Sequence, residues 1–477
     1  MNRAVTGQSA FTPAAPFAIV AARRRNAMLD PLGNPLSNAS PAARQGICDF
    51  VAGFLGYHPR AVNVLAAAEA DPECPLAQTY AGILWMFLES PEAPAQAQRF
   101  IHAGTALSGR ANERERSLHA ILTDWASGDQ LRAEERIAAH LDSWPNDLAA
   151  MKLGQYLAFN RGDAPAMLRL ARAVESRNAG NAHFHAMAAF AFEQCHLLDK
   201  AEAAANRALE IDETEPWAHH ALAHVMLTQG RVPEGARFLD RAAPHWNGLN
   251  SFMYTHNWWH RALFALSMGD EDAVLSMYDA HCWSMEKAYS QDQIGAVSLL
   301  ARMEMAGMDV GGRWSELAGW LRVRHGDTVN AFLTLQYLYG LKRAGLGEAA
   351  HLMQAIEDRA AGANGFDAAV WRDVALPAAR AIMAHLEGRH AEAARLMSLA
   401  LPRMAEAGGS HAQRDLFEQI LLDAHRKAGN LVQAQQMMEM RRIYDPCGIP
   451  LNRMLAATYR RLGLQEEACE AEARRYA

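Results

Sequence analysis

Two histidine pairs with the spacing HxxxH are the most chemically suggestive feature of the sequence, because imidazoles bind metals and transfer protons. His220 and His224 form the first pair, and His256 and His260 form the second, 36 residues further along. Residues four apart lie on one face of a helix, so each pair presents two rings to the same side. The second pair encloses two adjacent tryptophans in YTHNWWHRALFALSMGD, where a helix that only packs would carry Leu or Ala.

The same interval connects further polar side chains. His183, His220, His256 and Asp292 follow one another at intervals of 37, 36 and 36 residues. In an array of helix pairs, equivalent positions of successive repeats lie side by side, so this series predicts a ladder along one surface. Ten of the 20 histidines fall between His183 and His281, which makes this part of the chain the candidate functional region.

Three interpretations of these histidines stay open at the level of the sequence. They can hold a divalent metal, since neutral imidazoles suit Zn, Fe, Ni or Mn. They can act as general acid, general base and hydrogen-bonding groups toward a ligand, because histidine titrates near neutral pH. They can also be interior polar groups satisfied by their neighbours. The candidate catalytic residues are His220, His224, His256, His260 and Asp292, and the four histidines are the candidate ligands if a metal is present.

Further candidate ligand-binding residues are aromatic side chains and the start of a predicted helix. A tryptophan on a concave surface can stack on a flat ligand. In EAGGSHAQRDLFEQILLDAH, Ser410 is predicted to cap a helix whose first turn is crowded with polar side chains, and free N–H groups at such a terminus attract anions. A cap whose arginine bridges two repeats is the structural alternative. The predicted ligand-binding residues are His183, Trp217, Trp259, Tyr278, Trp314, His411, Gln413, Arg414 and Asp415.

Helical periodicity covers nearly all of the chain after Ser40, and alternating runs of Val, Ile and Thr are almost absent, so an all-α fold is predicted. Gly-containing turns recur at related intervals: Gly128 and Gly162 are 34 residues apart, and Gly230 and Gly269 are 39 apart. A period in the middle thirties, with one helix before each turn and one after, is typical of tetratricopeptide-like helix pairs. We therefore expect a tetratricopeptide-like α-solenoid of about two dozen helices in a right-handed superhelix.

Composition limits the cellular compartment and the classes of binding partner that can be expected. The 46 basic and 53 acidic residues give a net charge of −7 without a long run of either sign, which argues against nucleic acid and anionic membranes as partners. Six cysteines without a CxxC pair argue against a thiolate zinc site and disulfides, and predict a cytoplasmic protein. Residues 1–38 are predicted to be an irregular segment, and residues 39–477 a single helical-repeat domain.

Four segments, WAHHALAHVMLTQGRVPEGARFL, HNWWHRALFALSMGDEDAVLSMYDAH, GRW and GGSHAQRDLFEQIL, occur in this order between about residues 180 and 430. Together they resemble the tetratricopeptide repeat protein 38 family, which implies a helical-repeat fold and no particular reaction. The segment NAFLTLQYLYG departs from the family pattern, with Thr334 and Gln336 in place of an acid and a histidine, so an activity that depends on that histidine would be altered here. The residues that match the pattern are Trp217, His220, His224, His256, Trp259, His260, Tyr278, Asp279, Trp314, His411, Gln413, Arg414 and Asp415.

The sequence therefore favours an enzyme-like helical-repeat protein whose His- and Trp-rich concave cavity binds a small molecule and transforms it by acid-base or metal-assisted chemistry. The alternative is a non-catalytic scaffold that binds a peptide in the groove, although peptide-clamping grooves favour Lys, Arg and Asn over the His and Asp found here. A Gly-rich phosphate loop, a GxSxG elbow and a CxxC pair are all missing from the sequence, so nucleotide hydrolysis, serine-hydrolase chemistry and thiol redox lack support. The substrate, a divalent metal cofactor and a homodimeric state are left open.

Overall fold

The computed structural model describes residues 28–37, 39–362 and 364–476. These residues form 24 α-helices of seven residues or more and contain no β-strand, only an isolated bridge between Leu29 and Pro35. The prediction of an all-α, tetratricopeptide-like solenoid is thereby confirmed. Of the predicted irregular segment 1–38, residues 1–27 and 38 lie outside the described residues, and the division of the chain at residue 39 stays a prediction.

The helices follow one another in a regular alternation of inner and outer helices. The first half of the array contains α1 (Pro41–Leu55), α2 (Asn63–Ala70), α3 (Pro75–Met86), α4 (Ala93–Ala106), α5 (Glu113–Ala126), α6 (Gln130–Ser143), α7 (Leu148–Asn160), α8 (Ala164–Asn178), α9 (Ala182–Gln194), α10 (Leu198–Ile211), α11 (Pro216–Thr228) and α12 (Val232–Ala242). The second half contains α13 (Ser251–Met268), α14 (Glu271–Met277), α15 (Ser290–Met305), α16 (Arg313–Leu321), α17 (Ala331–Arg343), α18 (Glu348–Gly362), α19 (Leu376–Leu386), α20 (His390–Ala400), α21 (His411–Ala428), α22 (Leu431–Arg441), α23 (Ile449–Arg461) and α24 (Gln465–Ala473).

Consecutive helices form twelve pairs, and the turn within each pair contains a residue in the left-handed conformation. Glycine suits a positive φ because it has no Cβ, whereas another residue there costs about 1–2 kcal/mol. Three of the twelve turns nevertheless use Tyr57, Glu89 and His196, with φ of 55°, 51° and 55°. The other nine turns use Gly128, Gly162, Gly230, Gly269, Gly307, Gly345, Gly388, Gly429 and Gly463.

The first helix of each pair lies inside the array and the second lies outside. In α11, ten of the 13 residues are buried, and its apolar side chains surround it on nearly every side. In α10, only Ala201, Ala205 and Ala208 of 14 residues are buried, and they form one stripe at intervals of about one helical turn. Polar side chains on the inner helices are therefore enclosed, and each needs a partner in the interior.

The array curls far enough for helices distant in sequence to meet. Helix α13 contacts α23, and α15 contacts α21. The turn at Gly162 lies directly against the backbone of Ala405, so closely that a Cβ on Gly162 would overlap the Ala405 carbonyl. The inner helices of early, middle and late repeats therefore enclose a common interior. None of the described helices is long and apolar enough to cross a membrane.

The close approach at Gly162 predicts a large effect of adding one methyl group. Gly162→Ala introduces both a left-handed alanine and a steric overlap with Ala405, whereas Gly128→Ala, at a left-handed glycine with open space around it, introduces only the first. We expect Gly128→Ala to lower the free energy of unfolding by about 1–2 kcal/mol and Gly162→Ala to lower it by about 3 kcal/mol or more, as measured by urea denaturation. Equal losses in the two variants would contradict the close contact between these repeats.

Candidate functional site

The two HxxxH pairs converge in the interior of the array. Helix α11 supplies His220 and His224, and the next inner helix, α13, supplies His256 and His260. The centroids of neighbouring rings are 4.5 to 5.0 Å apart, and one ligand atom from each of the four residues lies within 4.8 Å of the others. We refer to these four residues as the histidine cluster.

The spacing of the histidine cluster suits a single metal ion. An ion bound by imidazoles at about 2.0–2.1 Å separates adjacent ligand nitrogens by about 3.0–3.4 Å. The Nε2 atoms of His220 and His224 are 3.1 Å apart, which lies within this range. Two neutral rings at this distance face each other either through one N–H donor or through two lone pairs directed at a shared cation.

The cluster is buried, and several of its nitrogens have no hydrogen-bond partner. His224 and His260 are fully buried, His220 is 1% exposed and His256 is 8% exposed. Among the described residues, no group accepts or donates a hydrogen bond at His220 Nδ1 or at either nitrogen of His260, and His224 Nδ1 has only the Glu193 carboxylate beside it. A buried polar atom without a partner costs about 1–3 kcal/mol, so this arrangement is unfavourable unless something binds between the rings.

Burial also determines the charge of the cluster. Desolvation lowers the pKa of His256 to about 3 and lowers the pKa values of His220 and His260 well below the usual range. It lowers the pKa of His224 as well, although the Glu193 carboxylate opposes this shift. The four rings are therefore neutral imidazoles at neutral pH, which is the form that binds metals.

Aromatic rings hold the outer faces of the cluster. Trp217 stacks on His220 with 4.2 Å between ring centroids, and Trp259 lies nearly parallel to His256 at 5.4 Å. Phe252 also stacks on His256, with 5.2 Å between ring centroids. These contacts restrict ring rotation. The predicted ligand-binding residues Trp217 and Trp259 therefore lie beside the predicted catalytic ones.

Glu193, at the end of α9, connects the histidine cluster to the last part of the array. Its Oε1 lies 3.4 Å from His224 Nδ1 and 2.7 Å from Nε2 of His411, the first residue of α21. A carboxylate beside Nδ1 favours the tautomer with the proton on that nitrogen, which directs the Nε2 lone pair of His224 toward the other three rings. Glu193, His224 and His411 also form a second group with metal-ligand spacing.

Two cavities lie near the histidine cluster, one bordered by two of its rings and the other by His411. The larger, of about 810 Å³, is bordered by His220 and His256 and otherwise mainly by apolar and aromatic side chains from inner helices between α1 and α21. The smaller, of about 420 Å³, is bordered by His411 and by charged residues that include Arg302, Asp415 and Arg441. A volume of 300–1,000 Å³ is typical of small-molecule sites.

Two residues of the predicted ladder lie apart from the histidine cluster. His183 contacts Glu215 through Nδ1 and takes no part in the cluster. Asp292 accepts hydrogen bonds from Ser251, from Thr255 at 3.2 Å and from the backbone N–H of Glu286 at 3.2 Å, and burial raises its pKa to about 6. The catalytic role predicted for Asp292 stays a prediction, without a contact to the other four candidates.

The remaining predicted ligand-binding residues fall into two groups. Tyr278 and Trp314 are 1% and 5% exposed and belong to the hydrophobic core. Ser410 and Gln413 cap α21 reciprocally, as the sequence indicates, and Gln413 also borders the larger cavity. Arg414 donates to the carbonyl of Gly409 within the cap of α21. Asp415 binds Arg441 of the same helix pair and lies 3.6 Å from Arg302 of α15, so it connects two repeats.

Thr334 and Gln336, which replace an acid and a histidine of the family pattern, are buried in α17. The hydroxyl of Thr334 donates to the carbonyls of Asp327 and Asn330 at 2.9 and 2.8 Å. The side-chain amide of Gln336 donates to the carbonyl of Phe332 at 3.5 Å. Both side chains thus engage nearby backbone and make no contact with the histidine cluster.

Sequence reasoning missed several residues of this interior. Glu193 lies in the mainly apolar segment AHFHAMAAFAFEQ and belongs to no motif. Lys152 borders the larger cavity, with its ammonium against the carbonyls of Phe54 and Leu55 and over the Tyr57 ring at 3.2 Å, and burial lowers its pKa. Tyr57 and Glu89 occupy turn positions that carry glycine in nine of the twelve helix pairs. For Tyr57 and Glu89, the absence of glycine at the turn position was the signal that the sequence offered.

No protein-family model matches the chain. Among solved structures it is similar to the TPR domain of P58(IPK), with 12% identity over 76% of this chain and 91% of that chain and a TM-score of 0.21. It is similar to an IFIT1 monomeric mutant with Gppp-AAAA (12% identity, 89% and 94% covered, TM-score 0.39) and to yeast Tom70 (14%, 89% and 82%, 0.26). With such low identities and TM-scores, these likenesses carry no argument about ligand, partner or reaction.

The lowered pKa values predict that the metal-free protein is sensitive to acid. Below about pH 6.5 the unfolded chain binds protons that the buried imidazoles exclude, so the free energy of unfolding falls by about 1.4 kcal/mol per pH unit for each such histidine. We expect His256→Leu to reduce the slope between pH 6 and pH 5 by about that amount in urea titrations with EDTA. An unchanged slope in His256→Leu would contradict the burial of a neutral ring.

Proposed function

We propose that the protein binds a transition-metal ion through His220, His224, His256 and His260 and uses it to transform an apolar small molecule held in the larger cavity. The observation that carries this proposal is the convergence of four neutral imidazoles, among which His220 Nδ1 and both nitrogens of His260 have no hydrogen-bond partner in the described part of the chain. A metal ion takes one nitrogen from each ring, so it would use the Nε2 atoms of His220 and His224 that face each other and one of the two unpartnered nitrogens of His260. Interior histidines that serve only packing would each be satisfied by a neighbouring donor or acceptor.

The low pKa values favour a metal site over general acid-base catalysis. A general acid or base works best when its pKa lies near the working pH. The pKa of His256 is lowered to about 3, so at neutral pH this ring is a weak base and lacks the second ring proton that an imidazolium donates as a general acid. The same burial keeps the ring ready to coordinate a cation without a proton to displace.

The number of ligands bears on the kind of ion. Four protein ligands close the shell of a tetrahedral zinc ion, as in structural sites, whereas a six-coordinate ion such as Fe²⁺, Ni²⁺ or Mn²⁺ retains two positions for water or substrate. Chemistry in the cavity calls for the second kind of site. A bound ion of this kind supplies Lewis acidity to a coordinated oxygen. Glu193 orients His224, and Trp217 and Trp259 hold the rings that face the cavity.

The lining of the cavity supports an apolar substrate. Side chains such as Phe54, Tyr156, Phe190, Phe252 and Phe332 border it. Burial of apolar ligand surface against such rings contributes about 25 cal/mol per Å² and gives the affinity, while a few polar groups fix the orientation. A peptide-binding scaffold stays the alternative, and membership of the tetratricopeptide repeat protein 38 family and a cytoplasmic location belong to the proposal.

Elemental analysis of untagged, purified protein tests the proposal. We expect about one transition-metal ion per chain in the wild type and less than about a tenth of that in a His256→Ala, His260→Ala double variant. The matched control is His183→Ala, which removes another histidine of the predicted ladder without touching the cluster, and it should keep the metal. Chelation should lower the melting temperature of the wild type by several degrees and leave that of the double variant unchanged.

Two results would contradict the proposal. One is a folded wild-type protein that contains no transition metal and gains none when incubated with Fe²⁺, Ni²⁺, Mn²⁺ or Zn²⁺. The other is a metal content that survives in the folded double variant, which would place the ion elsewhere. Circular dichroism of each variant separates loss of the metal from loss of the fold.

A further inference from the structure

The three turns without glycine border the cavities. Tyr57 and Glu89 border the larger cavity and His196 borders the smaller, and they are the only non-glycine residues with positive φ in the described part of the chain. Strained backbone of this kind persists where the surrounding structure holds it in place, and it concentrates at functional sites. The Tyr57 ring stacks on Trp217, and the His196 ring lies beside His411. Both side chains are therefore close to the histidine cluster. Glu89 belongs to a different part of the cavity.

Glu89 is held by donors from two other repeats. The hydroxyl of Tyr156, on α7, donates to its Oε1 at 2.7 Å. The side chains of Ser290 and Gln291, at the start of α15, both donate to its Oε2. The residue is 6% exposed. Three donors from distant helices thus fix this carboxyl group at the wall of the cavity.

The same carboxyl group lacks a positively charged partner. Within residues 28–37, 39–362 and 364–476, no lysine, arginine or histidine forms an ion pair with Glu89. Lys152, the lysine that borders the same cavity, is engaged by backbone carbonyls and by the Tyr57 ring. Buried carboxylates are normally paired, because removal of a charge from water is costly. Desolvation accordingly raises the pKa of Glu89.

Aromatic rings surround this end of the cavity. Phe87 packs on Tyr156 with 4.5 Å between ring centroids, and the hydroxyl of Tyr289 donates to the Phe87 carbonyl at 3.5 Å. Trp85 borders the cavity as well. The faces of aromatic rings attract organic cations, and together with a carboxylate they form the usual recognition site for ammonium groups.

We infer that Glu89 and the surrounding rings form a binding site for an organic cation, so that the ligand of the larger cavity is an apolar molecule with an ammonium group. The inference rests on the proposed function only in that the same cavity holds the ligand. The ammonium group is the positively charged partner that Glu89 lacks, while the apolar body of the ligand extends along the aromatic lining. Glu89 is then a binding residue, and its strained turn places the carboxyl group at the cavity wall.

The test compares two probes of nearly identical shape that differ in charge, phenyltrimethylammonium and tert-butylbenzene. A quaternary ammonium cannot coordinate a metal, so the histidine cluster does not contribute to the comparison. We expect the wild-type protein to bind phenyltrimethylammonium at least about tenfold more tightly than tert-butylbenzene, as measured by calorimetry or ligand-observed NMR. Glu89→Gln, which keeps the size of the side chain and one acceptor oxygen and places an NH2 donor that the Tyr156 hydroxyl can accept, should bring this ratio to about one.

Glu286→Gln is the matched control, since Glu286 is an exposed carboxylate at the same cavity, and the ratio should stay at the wild-type value. If Glu89→Gln fails to fold, Glu89→Gly removes both the carboxyl group and the backbone strain, and it should give the same loss. Equal affinities of the two probes in the wild type, no binding of either probe, or a cation preference that survives in the folded Glu89 variants would each overturn the inference.

The metal content of the same samples separates this inference from the proposed function. A metal-loaded wild type without cation preference overturns the role of Glu89 and leaves the histidine site standing. A cation preference in a protein that binds no metal supports the role of Glu89 and overturns the proposed metal site. Glu89→Gln should keep the metal content of the wild type, because Glu89 makes no contact with the histidine cluster.

Discussion

The structure depends on how the interior compensates buried imidazole nitrogens. Four rings on α11 and α13 are enclosed by inner helices, and Trp217, Trp259 and Phe252 cover their outer faces. Buried polar atoms without partners destabilise a fold, and evolution usually replaces them with apolar groups of similar size. Their presence at the centre of the array is the reason for proposing an ion between the rings.

The helical array creates this centre by two independent means. Pairs of histidines four residues apart on neighbouring inner helices bring four rings together within two repeats. Curling of the array then adds residues from distant repeats, since Glu193 of α9 meets His411 of α21, and Glu89 meets Tyr156 and Gln291. The first means is local and tolerates changes elsewhere. The second requires the contact between distant repeats that Gly162 and Ala405 make.

The fold and the core of the site could be predicted from the sequence, because both follow from local periodicity. Glycine turns at intervals in the middle thirties indicated the helix pairs, and the HxxxH spacing indicated which rings share a face. The predicted ladder did not bring His183 and Asp292 to the histidine cluster, because the loops between repeats differ in length. Helices α9, α11, α13 and α15 begin at residues 182, 216, 251 and 290, so equal sequence intervals place His183 and Asp292 at other positions along their helices than His220 and His256. The positions of Glu193, Lys152 and Glu89 in the interior depend on how strongly the helical array curls. The length of a repeat does not specify this curvature.

The most direct test of the central claim is anomalous X-ray scattering from crystals of the protein purified without added metal, recorded at the absorption edges of Fe, Ni, Mn and Zn. The account predicts one anomalous peak between His220, His224, His256 and His260, about 2.0–2.2 Å from a nitrogen of each ring. Four well-ordered rings without such a peak, with their nitrogens hydrogen-bonded to ordered water, would contradict it.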